Sequence, residues 1–487
     1  MTSNLVMGID VGTQGVRALV VDAQGKPQAS ASQPLPFSPA NLPPGWAEQS
    51  AQTWWAGVKT CLGKTIVALK EKGYQAKDIT ALAIDSTSGT IVPVDAAGKP
   101  LRPALMYNDS RSASVLKRVR RAGAGLEEKL GYAFKSSFAL PKIVWLQVNE
   151  AALFDQTARF IHAADYIAAC LTGDFSVSDH SNALKTGFDL IDYQWPDFIE
   201  RELGVPLNKL PRVVSPGSPI GRVSALAARE TGLSEITQVV AGMTDGSASQ
   251  VASGAVDVGA WNSTLGTTLV IKGISKKLLK DPLGRFYSHL HPQGYWMPGG
   301  ASNTGAEWIS REYPGQNPAE LVTKAARALP TGLLAYPLAR RGERFPFIAP
   351  EAEGFIEGAS NTPFEPFAAR LEGVAFLERL AYETLADLGA EVGDTIYATG
   401  GGARSDVWLK VRASVLSRQM ARPAIGEAAM GAALLAASQT LYRNLGEASR
   451  RMVSIETTIA PEPAWQRVYE ERYQQFCNAC RKRGYLV

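Results

Sequence analysis

A short apolar run, a glycine-rich turn and a second apolar run occur twice in this chain, about 250 residues apart, and that recurrence constrains the fold most. The first copy is Leu5–Ile9 ending in Asp10, then Gly12-Thr13-Gln14-Gly15, then Val16–Val21. The second enters at Gly259–Asn262, turns through Ser263-Thr264-Leu265-Gly266-Thr267-Thr268 and leaves along Leu269–Lys272. Two strands around a small-residue turn read as a hairpin. A chain of 487 residues is too long for one ordinary core, so the two hairpins predict two duplicated α/β domains, 1–241 and 242–487. No low-complexity linker separates them, and a short hinge is expected near residues 235–245.

Other elements follow from periodicity. Trp54, Val58, Leu62, Ile66 and Leu69 predict a helix over 54–70. Ile79–Ile84 reads as a strand running into Asp85-Ser86-Thr87-Ser88-Gly89, and Val239–Gly242 as a strand running into Met243-Thr244-Asp245-Gly246. An amphipathic helix is expected over 367–388, a strand over 395–398, and helices over 406–418 and 427–437. The last is made of small residues that let backbones approach closely.

Composition excludes several classes. The net charge of +4 comes from 50 basic and 46 acidic residues with no dense basic track, which argues against nucleic acid as a partner. Four cysteines in so long a chain do not make a disulfide framework and fit a reducing, cytoplasmic setting. Cys477 and Cys480 lack the second pair that a zinc site needs and read as half-buried thiols. No signal peptide and no membrane span are expected.

The turns carry the chemistry. Glycines in a hairpin turn let backbone N–H groups approach an anion, Thr13 and Gln14 add side-chain donors, and Asp10 at the strand end can hold Mg²⁺ beside phosphates. Alone, this turn is no more than a hairpin with an acidic end. A second such turn at Gly266, Thr267 and Thr268 suits a nucleotide held between two similar halves; neither turn is a Walker loop. Gly400-Gly401-Gly402-Ala403-Arg404-Ser405 lies between a strand and a helix, where a phosphate or ribose meets a helix N-terminus. Asp245 follows a strand amid small residues. It suits the carboxylate that phosphoryl transfer to a hydroxyl requires, and equally a helix cap. Ser86, Thr87, Ser88, Asn108, Asp109, His162 and Asp165 are the polar groups suited to a polyol.

In the order and spacing of these pieces the chain resembles the FGGY carbohydrate kinases, an actin-fold family. The resemblance spans about residues 5–450 and is carried by Gly8–Thr13, Tyr107–Arg111, Pro141–Leu146, Thr244–Gly246, Leu265–Thr268, Gly342–Phe347 and Gly400–Ala403. Asp85–Thr90, His162–Tyr166 and Ser178–Gly187 are similar to a xylulose-kinase-like branch that includes D-ribulose kinases. Ser86-Thr87 stands where typical D-xylulose kinases have Met-His, and Ala139 and Val148 depart from the family's first signature.

The resemblance implies two actin-like, ribonuclease H-like α/β domains flanking a deep ATP/sugar cleft that closes to exclude water. It implies an ATP-dependent kinase of a pentulose, D-ribulose or D-xylulose. Asp245 would be the general base, and Asp10 the Mg²⁺ ligand. Thr13 and Gln14 would face the terminal phosphate from one side, with Gly266, Thr267 and Thr268 on the other. Asn303 and Gly305 would line the nucleotide pocket, and Gly401, Gly402, Ala403 and Ser405 would flank the nucleotide. Ser86, Asn108, Asp109, Asp165 and Asp245 would meet the sugar. Ser405 replaces the usual adenine-side Asn. A homodimer is a family-level expectation. The competing readings are kinases of L-ribulose, ribitol or glycerol and, from another class, an actin-fold ATPase or a non-catalytic binding module.

Overall fold

The computed structural model describes residues 4–36 and 41–486. Its first compact unit comprises the chain up to Ala252, His289–Gly294 and Glu427–Val453; the second comprises Ser253–Ser288, Tyr295–Gly426 and the chain from Ser454. The expected halves, 1–241 and 242–487, do not match this division. The stretch expected to be a hinge, 235–245, carries a strand inside the first unit's sheet, and a later helical segment returns to that unit.

The first unit begins with β1 (Leu5–Val11), β2 (Gly15–Val21) and β3 (Pro27–Pro34), an antiparallel meander. Helix α1 (Ala51–Glu71) follows, then β4 (Ile79–Ser86), α2 (Ala163–Thr172), β5 (Pro219–Arg222), β6 (Gln238–Thr244) and α3 (Asp245–Ala252). The sheet order is β5-β6-β4-β1-β2-β3, with β4 parallel to both β1 and β6. Helix α1 buries Trp54, Val58, Leu62, Ile66 and Leu69, the stripe that its periodicity predicts. These side chains join Ile9, Val11, Val20 and Ile84 in one core, where a fully buried aliphatic side chain contributes about 1.5–3 kcal/mol.

The second unit repeats the plan. Strands β7 (Trp261–Leu265) and β8 (Leu269–Gly273) form the hairpin, followed by β9 (Phe286–Leu290) and β10 (Trp296–Ala301). Helix α4 (Glu365–Asp387) leads to β11 (Thr395–Thr399), α5 (Asp406–Leu416) and β12 (Gln419–Pro423). The chain then returns to the first unit as α6 (Ala428–Ala437) before β13 (Ile455–Ile459) and α7 (Pro463–Lys482) complete the second. The seven-stranded order is β9-β10-β8-β7-β11-β12-β13, and β7 runs parallel to β11 as β1 runs parallel to β4. Helices α4 and α5 are joined by a fully buried ion pair: Arg412 donates to Glu378 at 2.7 and 2.9 Å. Cys477 and Cys480 are buried on α7, where burial raises both thiols, Cys480 to about 12.

Every residue of α6 is buried, as its apolar, small-residue sequence demands. It lies directly on β1: a Cβ at Gly8 would stand 1.8 Å from the Ala429 carbonyl oxygen, and one at Gly431 would stand 2.0 Å from that of Ala248. Only glycine fits either place. Among the described residues no helix is long and apolar enough to cross a membrane.

Candidate active site

Three carboxyl groups gather at the C-terminal ends of three neighbouring parallel strands of the first unit. Asp10 near the end of β1 is the register partner of Asp85 on β4, and Asp245 follows directly on β6. Strand ends in an open α/β sheet are the usual place for a ligand. Burial pushes Asp10 up to about 6, with the Asp245 charge adding to the rise and a hydrogen bond with Asp85 opposing it. Asp85 is fully buried, and desolvation, then the charges of Asp10 and Asp245, hold its carboxyl well above the ordinary range. Apart from Asp10, no described group hydrogen-bonds the Asp85 oxygens. Burial thus favours the neutral acid at both groups, and more strongly at the more deeply buried Asp85. Beside them Arg17 pairs with Glu427.

The strand leading to Asp245 is braced. Asp179 accepts from the Ser181 and Asn182 amides at 2.8 and 3.1 Å and from both side chains. The Ser181 hydroxyl in turn accepts the Thr244 amide at 3.0 Å, and the Thr244 hydroxyl donates to Ser247. Asp245 opens α3, and its Oδ1 accepts the Gly246 amide at 2.6 Å.

The turn after β1 is closed by the Gly12 amide donating to the Gly15 carbonyl at 3.0 Å, while the Gln49 side chain donates to the Thr13 carbonyl at 3.0 Å. Gln14 is exposed and Thr13 half-buried. The loop after β4 is held by two lysines: buried Lys142 donates to the Gly89 and Ser137 carbonyls at 2.8 and 3.2 Å, and Lys185 to that of Ser88 at 3.2 Å.

The residues expected to meet sugar divide into two kinds. Asn108 is exposed. Ser86, Asp109 and Asp165 are buried with internal partners. The Ser86 hydroxyl accepts the Ala164 amide at 2.9 Å. Asp109 accepts the Ala47 amide and the Arg111 guanidinium at 2.7–3.0 Å, and that guanidinium lies 3.5 Å from the Trp46 ring centre. Asp165 accepts the His162 amide at 2.9 Å and closes a reciprocal cap on α2. All three spend hydrogen-bonding capacity on the protein itself.

Burial, then the charge of Asp179, pushes Asp165 up to about 8. A carboxyl raised in the folded state contributes stability that is complete below its unfolded value of 3.8 and is lost as pH rises through about 8. Asp165→Asn keeps the cap acceptor but does not titrate. Urea titrations of both proteins should therefore show the wild type losing stability relative to the variant between about pH 5 and about pH 8. A pH-independent difference would mean that Asp165 titrates as an ordinary aspartate.

In the second unit the β7–β8 turn is closed by Gly266 N–H donating to the Thr268 carbonyl at 3.0 Å, leaving Thr267 exposed. The loop carrying Asn303 and Gly305 lies against it; a Cβ on Gly305 would stand 2.4 Å from the Thr267 carbonyl oxygen. After β11, Gly400 has φ +81°, and an added Cβ would meet the Leu265 carbonyl oxygen at 2.6 Å. Gly401 opens on free space, whereas Gly402 and Ala403 are buried. Ser405 caps α5, its hydroxyl accepting the Trp408 amide at 3.2 Å.

Residues 5–252 match the N-terminal domain model of the FGGY family of carbohydrate kinases, and residues 261–440 match its C-terminal domain model. The chain belongs to the FGGY family of carbohydrate kinases. As an FGGY kinase it transfers phosphate from ATP to an alcohol group. A xylulose kinase of Bacillus subtilis is 26% identical, over 97% of this chain and 96% of its own length, and one from Escherichia coli is 28% identical over 89% of each. The structure of a xyloylose kinase from Brucella ovis superposes with a TM-score of 0.88 at 27% identity over 98% of both chains. That of a xylulose kinase from Rhodospirillum rubrum gives 0.88 at 26% identity over the same shares. Both matched domains have the mixed α/β, actin-like fold, and the reading as an actin-fold ATPase or a non-catalytic binding module is not favoured.

Sequence reasoning gave Asp85 no role, although an acid at the C-terminal end of a strand between those of Asp10 and Asp245 was a usable signal.

Proposed function

We propose that this FGGY kinase phosphorylates a pentulose, D-ribulose or D-xylulose, with Asp245 as general base, and that it acts in the cytoplasm, where ATP is available. One observation carries this reading: Asp245 stands at a braced strand end in the field of the Asp10–Asp85 pair. The similarity to xylulose kinases supports a pentulose, and Ser86-Thr87 at the end of β4 favours D-ribulose over D-xylulose.

The carboxylate of Asp245 removes the proton of the attacking hydroxyl, and its orientation is fixed by the Thr244–Ser181–Asp179 chain. Thr13, Gln14 and the Gly12 turn offer donors to the terminal phosphate. The β7–β8 turn, Asn303, Gly305 and Gly401–Ser405 receive the nucleotide. Asn108 meets sugar hydroxyls, and Ser86, Asp109 and Asp165 shape the wall around them. The hard oxygens of Asp10, beside a carboxyl with no other partner, fit Mg²⁺, which would neutralise phosphate charge when bound. By family expectation the enzyme works as a homodimer.

The test is ADP release measured against a panel of pentuloses, pentitols, glycerol and hexoses. One ketopentose should stand out in kcat/KM by about tenfold or more. Equal slow ATP hydrolysis with every sugar and with none would reject the proposal.

A further inference from the structure

Glu343 is a carboxylate buried in the second unit. It accepts five hydrogen bonds. Oε1 takes the Asn303 amide at 2.7 Å and the Arg344 amide at 2.9 Å; Oε2 takes the hydroxyls of Ser302 at 2.8 Å, Thr304 at 2.9 Å and Tyr336 at 2.9 Å. Five donors exceed the roughly four lone-pair positions that a carboxylate offers, so the group is saturated. Its backbone is fixed as well: its amide donates to the Ala349 carbonyl at 2.9 Å and its carbonyl accepts the Ala349 amide at 3.0 Å. The preceding Gly342 carbonyl accepts the Asn303 side chain at 2.8 Å.

Three of those donors belong to consecutive residues, Ser302, Asn303 and Thr304, and that loop is stitched to the β7–β8 turn. Leu269 N–H donates to the Thr304 carbonyl and Ser302 N–H to the Leu269 carbonyl, each at 2.9 Å; Ala306 N–H donates to the Gly266 carbonyl at 2.8 Å. With Gly305 packed against the Thr267 carbonyl, turn and loop are tied together along their length.

We infer that Glu343 is a positioning residue for phosphate binding: it fixes Ser302–Thr304, and through them the Gly266–Thr268 turn, in the geometry that receives the nucleotide's phosphates. This rests on the assignment of that turn to the nucleotide. The effect is on nucleotide affinity, because Glu343 itself has no hydrogen-bonding capacity left for a ligand. Charge-assisted bonds to a buried carboxylate are among the stronger ones, and a misplacement of about 1 Å in a positioning element can cost about 10²-fold.

The test compares wild type, Glu343→Gln and Tyr336→Phe in full-length enzyme. ADP binding is measured by calorimetry, KM for ATP and for the sugar by coupled assay, and folding by circular dichroism and thermal melting. Glu343→Gln puts an NH₂ where an acceptor stood, and should weaken ADP binding by about tenfold or more. KM for ATP should rise in parallel, with sugar KM within about twofold. Tyr336→Phe removes one donor, should keep the fold, and should weaken ADP binding about threefold. Unchanged ADP affinity in folded Glu343→Gln, or in Tyr336→Phe should the first variant not fold, overturns the inference. A parallel loss of ADP and sugar affinity, the mark of general loosening, overturns it too. Failure of the wild type to bind ADP or ATP would reject the nucleotide assignment itself, a different result from normal wild-type binding that the variants leave unmoved.

Discussion

Replacing Asp245 with asparagine lowers kcat by about 10³-fold and leaves ADP affinity within about twofold. The expectation follows from the position of the side chain. Asparagine keeps the oxygen that accepts the Gly246 amide at 2.6 Å, so the start of α3 and the braced end of β6 stay in place. What is lost is the negative charge that, in the proposed mechanism, takes a proton from the attacking hydroxyl. The substitution also removes a charge that raises Asp10 and Asp85, so both carboxyls should ionise more readily in the variant. A variant that retains more than about a tenth of wild-type kcat in a coupled assay would reject Asp245 as the base.

Glu378→Ala costs about 3–5 kcal/mol of folding stability, measured by urea denaturation. Glu378 and Arg412 are fully buried and joined across α4 and α5 by two contacts of 2.7 and 2.9 Å. One Arg412 terminal nitrogen already has no partner among the described residues, so removing the carboxylate strands a cation with few donors satisfied. The double variant Glu378→Leu with Arg412→Met should recover most of the loss, because the expense lies in the unpaired charge and not in the missing pair. A single-variant loss below about 1 kcal/mol would mean that water reaches the guanidinium. Helix α5 starts directly after Gly400–Ser405, the segment proposed to receive the nucleotide, so the damage should weaken ADP binding as well.

Local patterns were well legible in the sequence. The stripe on α1, the strands ending at Asp10, Asp85 and Asp245 and the small-residue helix α6 all emerge from periodicity and turn chemistry, within a few residues of their observed bounds. The two hairpins also identified the duplication. What escaped depends on long-range pairing. Glu343 is one acid in the Gly342–Phe347 stretch, and nothing local announces that Ser302, Asn303, Thr304 and Tyr336 converge on it. Asp109 and Asp165 looked free for a sugar, because the sequence does not reveal that Arg111, Ala47 and the amide of His162 use their oxygens. For the same reason the sequence does not reveal that α3 and α6, both beyond residue 241, belong to the first unit.

That placement of α6 bears on how the protein is made. The first sheet's strands leave the ribosome early, ending with β6 at Thr244, yet the helix that covers β1 spans 428–437. At translation speeds of about 5–20 residues per second, the gap leaves an apolar sheet face bare for roughly 10–40 seconds. The first unit therefore cannot finish folding before most of the second has been synthesised, and nascent chains stalled between the two should be held by chaperones or aggregate. Expressing residues 1–252 alone would reproduce that stalled state permanently.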